Sequence, residues 1–174
     1  MNEKNMMLGK DWDGEQDLTG WCLSEKLNGC RAYWDGEQFW TRGGHVIPNV
    51  PRRILATMPR GAHLDGEMFA GYGQLEAARL AVQFGKFTAA VRFIAFDAPQ
   101  IPGLWPRRLA AAKALFPHWV PHITVARDNA HLVSLMARVV AQGGEGLVAR
   151  APGLGYIEGP TTAMLKIKPE FVRQ

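Results

Sequence analysis

The sequence is poor in cysteine and has no long run of apolar residues. Its 174 residues contain only two cysteines, Cys22 and Cys30. Two cysteines are too few for a disulfide framework and are typical of proteins of the reducing cytoplasm. No stretch approaches the roughly 20 apolar residues of a membrane span, and the first ten residues lack the apolar run of a secretory signal. We therefore expect a cytoplasmic protein without a membrane partner.

The rest of the composition is that of an ordinary folded domain with a mild excess of basic residues. Hydrophobic residues make up 47% of the chain and charged residues 21%, so the chain can bury a core. Its length predicts one domain, spanning residues 1–174. The net charge of +4 permits a phosphate-rich partner but does not require one.

Short strand patterns outnumber helical ones. Strands are predicted at 21–25, 31–34, 38–42, 63–69, 91–96, 122–126, 145–150 and 164–168. Helices are predicted at 52–58, 74–84, 106–116 and 129–142, the last with Asp128 as its N-cap. Residues 1–20 are predicted to be an irregular lead-in, and 151–162 a loop rich in glycine and proline. Hairpins mixed with crossovers predict the α+β class.

Lys26 is the candidate nucleophile of the chain. It ends a strand-like stretch and is followed by Gly29 and Arg31. A lysine amine attacks only after losing its proton, and nearby positive charge favours the neutral amine. Lys166 and Lys168 are two residues apart on a predicted strand, so their side chains share one face and could hold phosphates beside such an amine. The forked guanidinium of Arg31 suits phosphate or ribose oxygens.

Two glutamates and one aromatic residue complete the candidate chemistry. Glu67 follows Gly66 and Glu145 precedes Gly146, so a ligand can approach the backbone closely beside each carboxylate. Phosphoryl chemistry uses such carboxylates to hold a metal ion. Phe96 ends an apolar strand and could stack on a base. Taken singly, a glutamate in such a position is most often a surface carboxylate, and a phenylalanine is most often a core residue. The interpretation therefore depends on the order in which these residues occur along the chain.

Two histidines suggest a metal site only superficially. His118 and His122 are four residues apart, but Pro117 and Pro121 interrupt the helix that would bring them to one face. We expect no zinc there.

The order of these motifs resembles that of the ATP-dependent DNA ligases, which are covalent nucleotidyltransferases. The stretch Glu25-Lys26-Leu27-Asn28-Gly29-Cys30-Arg31 resembles the ligase motif Glu-Lys-x-Asp-Gly-x-Arg. Five further stretches resemble later motifs of that family, in the family's order: 41–44, 64–67, 93–97, 145–150 and 165–168. The resemblance covers residues 10–168.

The resemblance implies an adenylation domain in which Lys26 takes AMP from ATP as a lysyl-AMP and passes it to the 5′-phosphate of a DNA nick. It implies nucleotide binding by Glu25, Lys26, Arg31, Arg42, Glu67, Phe96, Glu145, Lys166, Lys168 and, from a Leu-x-Lys stretch, Lys10. It implies that Glu67 and Glu145 bind Mg²⁺. It further implies a monomer that acts on nicked duplex DNA in replication, repair or recombination.

The implied fold is the nucleotidyltransferase domain of DNA ligase type, ATP-grasp-like, with antiparallel sheets flanked by helices. Because the chain ends at Gln174, soon after the last motif, we expect no OB-fold domain. Asn28 stands where DNA ligases have aspartate, and it keeps an acceptor oxygen without the charge. This departure leaves two alternatives open: an RNA ligase or capping guanylyltransferase, and a nucleotide- or DNA-binding module without catalysis.

Overall fold

Nine strands and four helices form the part of the chain that the structure, a computed structural model, describes: residues 6–117 and 123–172. The strands are β1 Met7–Asp11, β2 Cys22–Glu25, β3 Cys30–Trp34, β4 Phe39–Thr41, β5 Leu64–Phe69, β6 Arg92–Asp97, β7 Ile123–Val125, β8 Leu147–Arg150 and β9 Gly159–Ile167. The helices are α1 Arg52–Leu55, α2 Leu75–Phe84, α3 Trp105–Leu115 and α4 Asn129–Ala141.

The strands pair into two sheets. One sheet has five strands in the order β1-β9-β8-β2-β7, and the other has four in the order β4-β3-β5-β6. All neighbouring strands run antiparallel except β1 and β9, which run parallel. The predicted α+β class with antiparallel sheets is therefore confirmed, with one parallel pair at an edge.

Each sheet packs its apolar face into its own core. The core of the four-stranded sheet contains Phe39 and Phe93, which are buried and in edge contact. The core of the five-stranded sheet contains Leu23 and Leu147 together with Met136 from α4. The carboxylate of Asp128 accepts a 2.7 Å hydrogen bond from the backbone N–H of His131, so Asp128 caps α4 as predicted.

Two predictions about irregular segments are wrong for the same reason. The lead-in contains β1, and the loop 151–162 ends early because β9 begins at Gly159. Residues 7–9 of β1 pair with residues 159–161 of β9. Each of these short segments is a strand only because the other lies beside it, and neither has the alternating pattern that would reveal it alone.

Other boundaries differ less. The predicted helix 52–58 is the single turn α1, and β8 begins two residues after the predicted position 145. The predicted strand 122–126 is observed as β7, although His122 itself, like His118, lies outside the described residues. Within the described ranges, no helix is long and apolar enough to cross a membrane.

A buried ion pair fastens α3 to β6. Asp97 and Arg108 are each 1% exposed, and the carboxylate accepts hydrogen bonds of 2.7 and 3.1 Å from the guanidinium. Removing one member of such a pair leaves the other charge buried and unpaired.

We expect Asp97→Ala to lower the free energy of unfolding by about 3–5 kcal/mol, because Arg108 would remain buried without its carboxylate. Urea unfolding monitored by tryptophan fluorescence measures this. The control is Glu76→Ala, which breaks the exposed pair with Arg79 and should leave the free energy of unfolding nearly unchanged, because exposed ion pairs contribute little. Equal losses in the two variants would contradict the prediction.

Candidate active site

A cavity of about 250 Å³ receives side chains from both sheets. The residues that line it are Leu8, Gly9, Ser24, Glu25, Lys26, Leu27, Arg31, Arg42, Glu67, Phe96, Val148, Arg150, Met164 and Lys166. Seven of these were predicted as site residues from the sequence: Glu25, Lys26, Arg31, Arg42, Glu67, Phe96 and Lys166. The folded chain therefore gathers residues that are as much as 141 positions apart (25 to 166) around one space.

Lys26 lies at the start of the loop between β2 and β3, at the wall of this cavity. Its backbone N–H donates a 2.8 Å hydrogen bond to the carbonyl oxygen of Gly146, which ties the loop to the residue before β8. Its Nζ lies 2.5 Å from Oε1 of Glu145. The Lys26 side chain is 20% exposed, so the amine is held at the cavity wall rather than extended into solvent.

Two glycines allow the backbone to pack this tightly around Lys26. A Cβ at position 29 would overlap the carbonyl oxygen of Met68 and lie 2.8 Å from Cγ of Glu67. A Cβ at position 146 would overlap the carbonyl oxygen of Ile167, and Gly146 has a φ of 155°. Because only glycine fits either position, Gly29 lets the lysine loop pack against β5, and Gly146 lets the segment before β8 pack against β9.

Two carboxylates lie near Lys26 in different environments. Glu145 forms the ion pair described above, whereas Glu67 points from β5 into the cavity. Burial raises the pKa of Glu67 to about 7, with the positive charge of Arg31 opposing the rise. Glu67 is therefore a carboxylate that would be stabilised by a further cation. Among the described residues, no cluster of three or more potential metal-binding side chains occurs.

Glu25 lies on the opposite side of the lysine loop. Its Oε2 accepts a 3.2 Å hydrogen bond from the Tyr72 hydroxyl, whereas Oε1 is buried and finds no hydrogen-bond partner among the described residues. Burial raises the pKa of Glu25, and the Tyr72 hydroxyl partly offsets this. Oε1 lies 3.0 Å from the position that a Cβ at Gly144 would take, so the carboxylate is packed against the segment before β8 and does not open into the cavity.

The aromatic ring of Phe96 forms part of the wall from β6. The guanidinium carbon of Arg31 lies 4.7 Å from the ring centroid. Arg31 is itself held by Asp65 through two 2.5 Å hydrogen bonds, and it donates a third, of 3.1 Å, to the Met7 carbonyl oxygen. Burial alone would lower the pKa of Arg31, but the Asp65 carboxylate raises it overall, so the guanidinium stays charged.

The predicted lysine pair is only partly at the cavity. Lys166, near the end of β9, lines it, whereas Lys168 lies just beyond the strand and does not. Both ammonium groups contact the carboxylate of Asp11. Lys10 is exposed and does not line the cavity, because the β1–β9 register pairs Lys10 with the core residue Leu165. We therefore leave Lys10 out of the proposed site.

Seven lining residues had no predicted role: Leu8, Gly9, Ser24, Leu27, Val148, Arg150 and Met164. Val148 and Arg150 lie two apart on β8, and Met164 and Lys166 two apart on β9, so the period of two would have placed each pair on one face. Arg150 is 5% exposed and stacks on Trp105, with 4.0 Å from its guanidinium carbon to the ring centroid. Burial lowers the pKa of Arg150 to about 10, with the charge of Asp97 opposing the change.

Comparison with known proteins finds DNA ligases. A DNA ligase of Haemophilus influenzae is 33% identical over 161 residues, which are 88% of this chain and 59% of that ligase. The chain therefore spans about three fifths of the length of that relative. No protein-family model matches the chain.

Solved structures of DNA ligases share the fold. A Lig E DNA ligase, described as binding DNA with a minimal scaffold, superposes with a TM-score of 0.82 and 29% identity, over 94% of this chain and 68% of that one. The Chlorella virus DNA ligase-adenylate superposes with a TM-score of 0.78 and 19% identity, over 95% and 67% of the two chains. The predicted resemblance to the adenylation domain of ATP-dependent DNA ligases is confirmed in sequence and in fold.

We expect the stability of the protein without nucleotide or divalent cation to fall as pH rises from about 5 to 8, in part through Glu67. Because its folded pKa of about 7 lies above that of the unfolded chain, folding takes up a proton in this window. The Glu67→Gln variant should lose this contribution, on the order of 2 kcal/mol. Urea unfolding at several pH values measures the slope.

The matched control for this pH profile is Glu37→Gln, which changes an exposed glutamate in the turn between β3 and β4. It should keep the pH slope of the original protein. The same slope in Glu67→Gln as in the original protein would show that Glu67 does not titrate in this window.

Proposed function

We propose that this chain, which resembles the adenylation domains of ATP-dependent DNA ligases in sequence and fold, transfers AMP from ATP through Lys26 to the 5′-phosphate of a DNA nick and supports sealing of that nick. One observation carries the proposal. The amine of Lys26, the ring of Phe96, the carboxylate of Glu67 and the ammonium of Lys166 meet at one cavity, as nucleotidyl transfer to a lysine requires.

The first step would form the lysyl-AMP. Before attack, Lys26 must lose a proton, which Glu145, 2.5 Å from Nζ, would accept and pass to solvent, so that its carboxylate stays free to bind a cation. The amine then attacks the α-phosphorus of ATP in line with the bond to the leaving group. An N–P bond forms, the P–O bond to the β-phosphate breaks, and pyrophosphate leaves with that electron pair. The nitrogen then loses a second proton to solvent, which gives the neutral phosphoramidate nitrogen of the lysyl-AMP. Lys166 would stabilise the charge on the phosphate oxygens.

The second and third steps would use the same residues. An oxygen of the nick 5′-phosphate attacks the phosphorus of the lysyl-AMP, the N–P bond breaks, and Lys26 recovers its proton. The 3′-hydroxyl oxygen then attacks the 5′-phosphorus, loses its proton and displaces AMP, which closes the phosphodiester. Arg42, exposed just beyond β4 at the cavity edge, would contact the 5′-phosphate of the DNA.

Adenine recognition would involve both walls of the cavity. Phe96 would stack on the base, with Val148 of β8 providing apolar contact within the same cavity. Backbone groups of Glu25 and Lys26, which also line the cavity, would lie near the edge of the adenine.

The carboxylates fit Mg²⁺ in the manner usual for nucleotide enzymes. Mg²⁺ is bound by one or two protein carboxylates together with phosphate oxygens and water. Glu67 and Glu145 supply these two carboxylates, and the raised pKa of Glu67 indicates a carboxylate that gains from a nearby cation. Bound there, the ion would neutralise charge on the phosphates. Arg31 would act mainly through Phe96, because Asp65 already holds its guanidinium.

The first test is adduct formation. Lys26→Ala should abolish an adduct with the mass of AMP less water when the protein is incubated with ATP and Mg²⁺, because no other group replaces the amine. Intact mass spectrometry with peptide mapping measures this. Lys113→Ala, which changes an exposed lysine of α3, should form the adduct normally. An adduct that survives Lys26→Ala would overturn the assignment of the nucleophile.

Acceptor strands separate the ligase from its alternatives. The adenylylated protein, offered nicked duplexes in which the 5′-phosphate strand is DNA or RNA, should pass AMP to DNA. Preference for the RNA nick would favour the RNA ligase alternative. ATP binding that protects against unfolding without an adduct would favour the binding-only module.

The choice of nucleotide separates the ligase from a capping guanylyltransferase. The adduct on Lys26 should form faster with ATP than with GTP when the two nucleotides compete. A preference for GTP would favour the guanylyltransferase alternative.

A further inference from the structure

One carboxylate contacts both lysines of the last motif. Oδ1 of Asp11 lies 2.9 Å from Nζ of Lys166, and its Oδ2 lies 3.2 Å from Nζ of Lys168. The two ammonium groups thus bind the two oxygens of one anion. A phosphate group presents oxygens to a lysine pair in the same way, so Asp11 takes the position in which a ligand anion would bind.

An irregularity in the parallel β1–β9 pairing brings Asp11 to the lysines. Before it, Gly9 pairs with Thr161, and after it, Lys10 pairs with Leu165. The register therefore changes by three positions, an odd number, which exchanges the two faces of β1 relative to β9. Asp11 pairs with Lys166 as a result. Had the first register continued, even-numbered residues would have paired with even-numbered ones, and Lys10 would have shared the face of Lys166.

The contact of Asp11 with the two lysines is electrostatically favourable, but another anion can replace the carboxylate. Hydrogen bonds from Lys166 and then Lys168 hold the pKa of Asp11 below its ordinary value, so the carboxylate is charged at neutral pH. The three side chains are 39–48% exposed. Exposed ion pairs of this kind are weak individually and are screened by salt, so an anion with more charge can replace the carboxylate.

We infer that Asp11 is an internal counter-anion that occupies the lysine pair in the absence of ligand and is displaced by the phosphate groups of the nucleotide, thereby setting the affinity of the site for anions. The identity of the anion rests on the proposed function. Asp11 acts through Lys166 and Lys168 and does not itself touch the reacting atoms. Its removal should free both ammonium groups for a ligand.

Binding of inorganic tripolyphosphate, measured by titration calorimetry, tests this inference without the nucleoside. Asp11→Asn keeps the shape of the side chain and removes its charge. It should bind tripolyphosphate roughly three- to ten-fold more tightly at low ionic strength, as expected when two weak competing ion pairs are removed. The gain should shrink at about 0.15 M salt.

The matched control is Glu170→Gln. Glu170 is exposed, lies two residues beyond Lys168, and forms no ion pair with either lysine among the described contacts. The Glu170→Gln variant removes the same unit of negative charge near the lysines, so it measures the effect of net charge alone on tripolyphosphate binding. The affinity should change less than two-fold in this variant. An equal gain in both variants would attribute the effect to net charge and overturn the inference.

Two other results would also overturn it. Unchanged or weaker binding by Asp11→Asn would show that Asp11 does not compete with anions, and no binding by any variant would show that the lysines are not an anion site. Failure of the proposed function would give a different result from failure of the inference about Asp11. In that case ATP and Mg²⁺ would give no adduct on Lys26, while the tighter tripolyphosphate binding of Asp11→Asn would persist.

Discussion

The buried pairing of Arg31 with Asp65 joins the two sheets at the cavity. Both residues belong to the four-stranded sheet, yet Arg31 also binds the Met7 carbonyl oxygen of β1, and the Tyr156 hydroxyl donates a 2.8 Å hydrogen bond to Asp65 from the loop before β9. Asp65 is fully buried. A buried carboxylate is tolerated only when such donors surround it, and here the donors come from β3 and from the loop before β9. The position of Phe96 against Arg31, and with it the shape of the cavity, depends on this network.

Pairing of opposite charges governs the rest of the site. Lys26 is paired with Glu145, and Lys166 and Lys168 with Asp11. Lys26, Lys166 and Lys168, three of the cations that would meet a phosphate, therefore each have a carboxylate partner within the chain. Ligand binding at such a site exchanges one anion for another, which avoids leaving unpaired charge at the cavity when no ligand is bound. The affinity for a ligand anion then depends on the difference between its contacts with the cations and the contacts that the internal carboxylates make with them.

The elements whose structure depends on residues close together in the chain could be predicted from the sequence. The hairpin of β3 and β4, the capping of α4 by Asp128 and the lysine loop between β2 and β3 were all anticipated. The site residues were chosen by their order and resemblance, and seven of them share the cavity. Lys10, Glu145 and Lys168 do not line it. Glu145 and Lys168 still contact the site through their ion pairs, whereas Lys10 takes another face because of the β1–β9 register, which no residue near Lys10 specifies.

The class of fold, most of its elements and the residue types of the candidate chemistry follow from the amino-acid sequence, because periodicity, turn residues and motif order are local properties. Which charges meet depends on the tertiary structure. The pairing of Asp11 with the lysines, the burial that raises the pKa of Glu67, and the stacking of Arg150 on Trp105 join residues distant in the chain. Electrostatic energy depends on separation in space and on burial, and neither quantity can be read from the sequence positions of the charges.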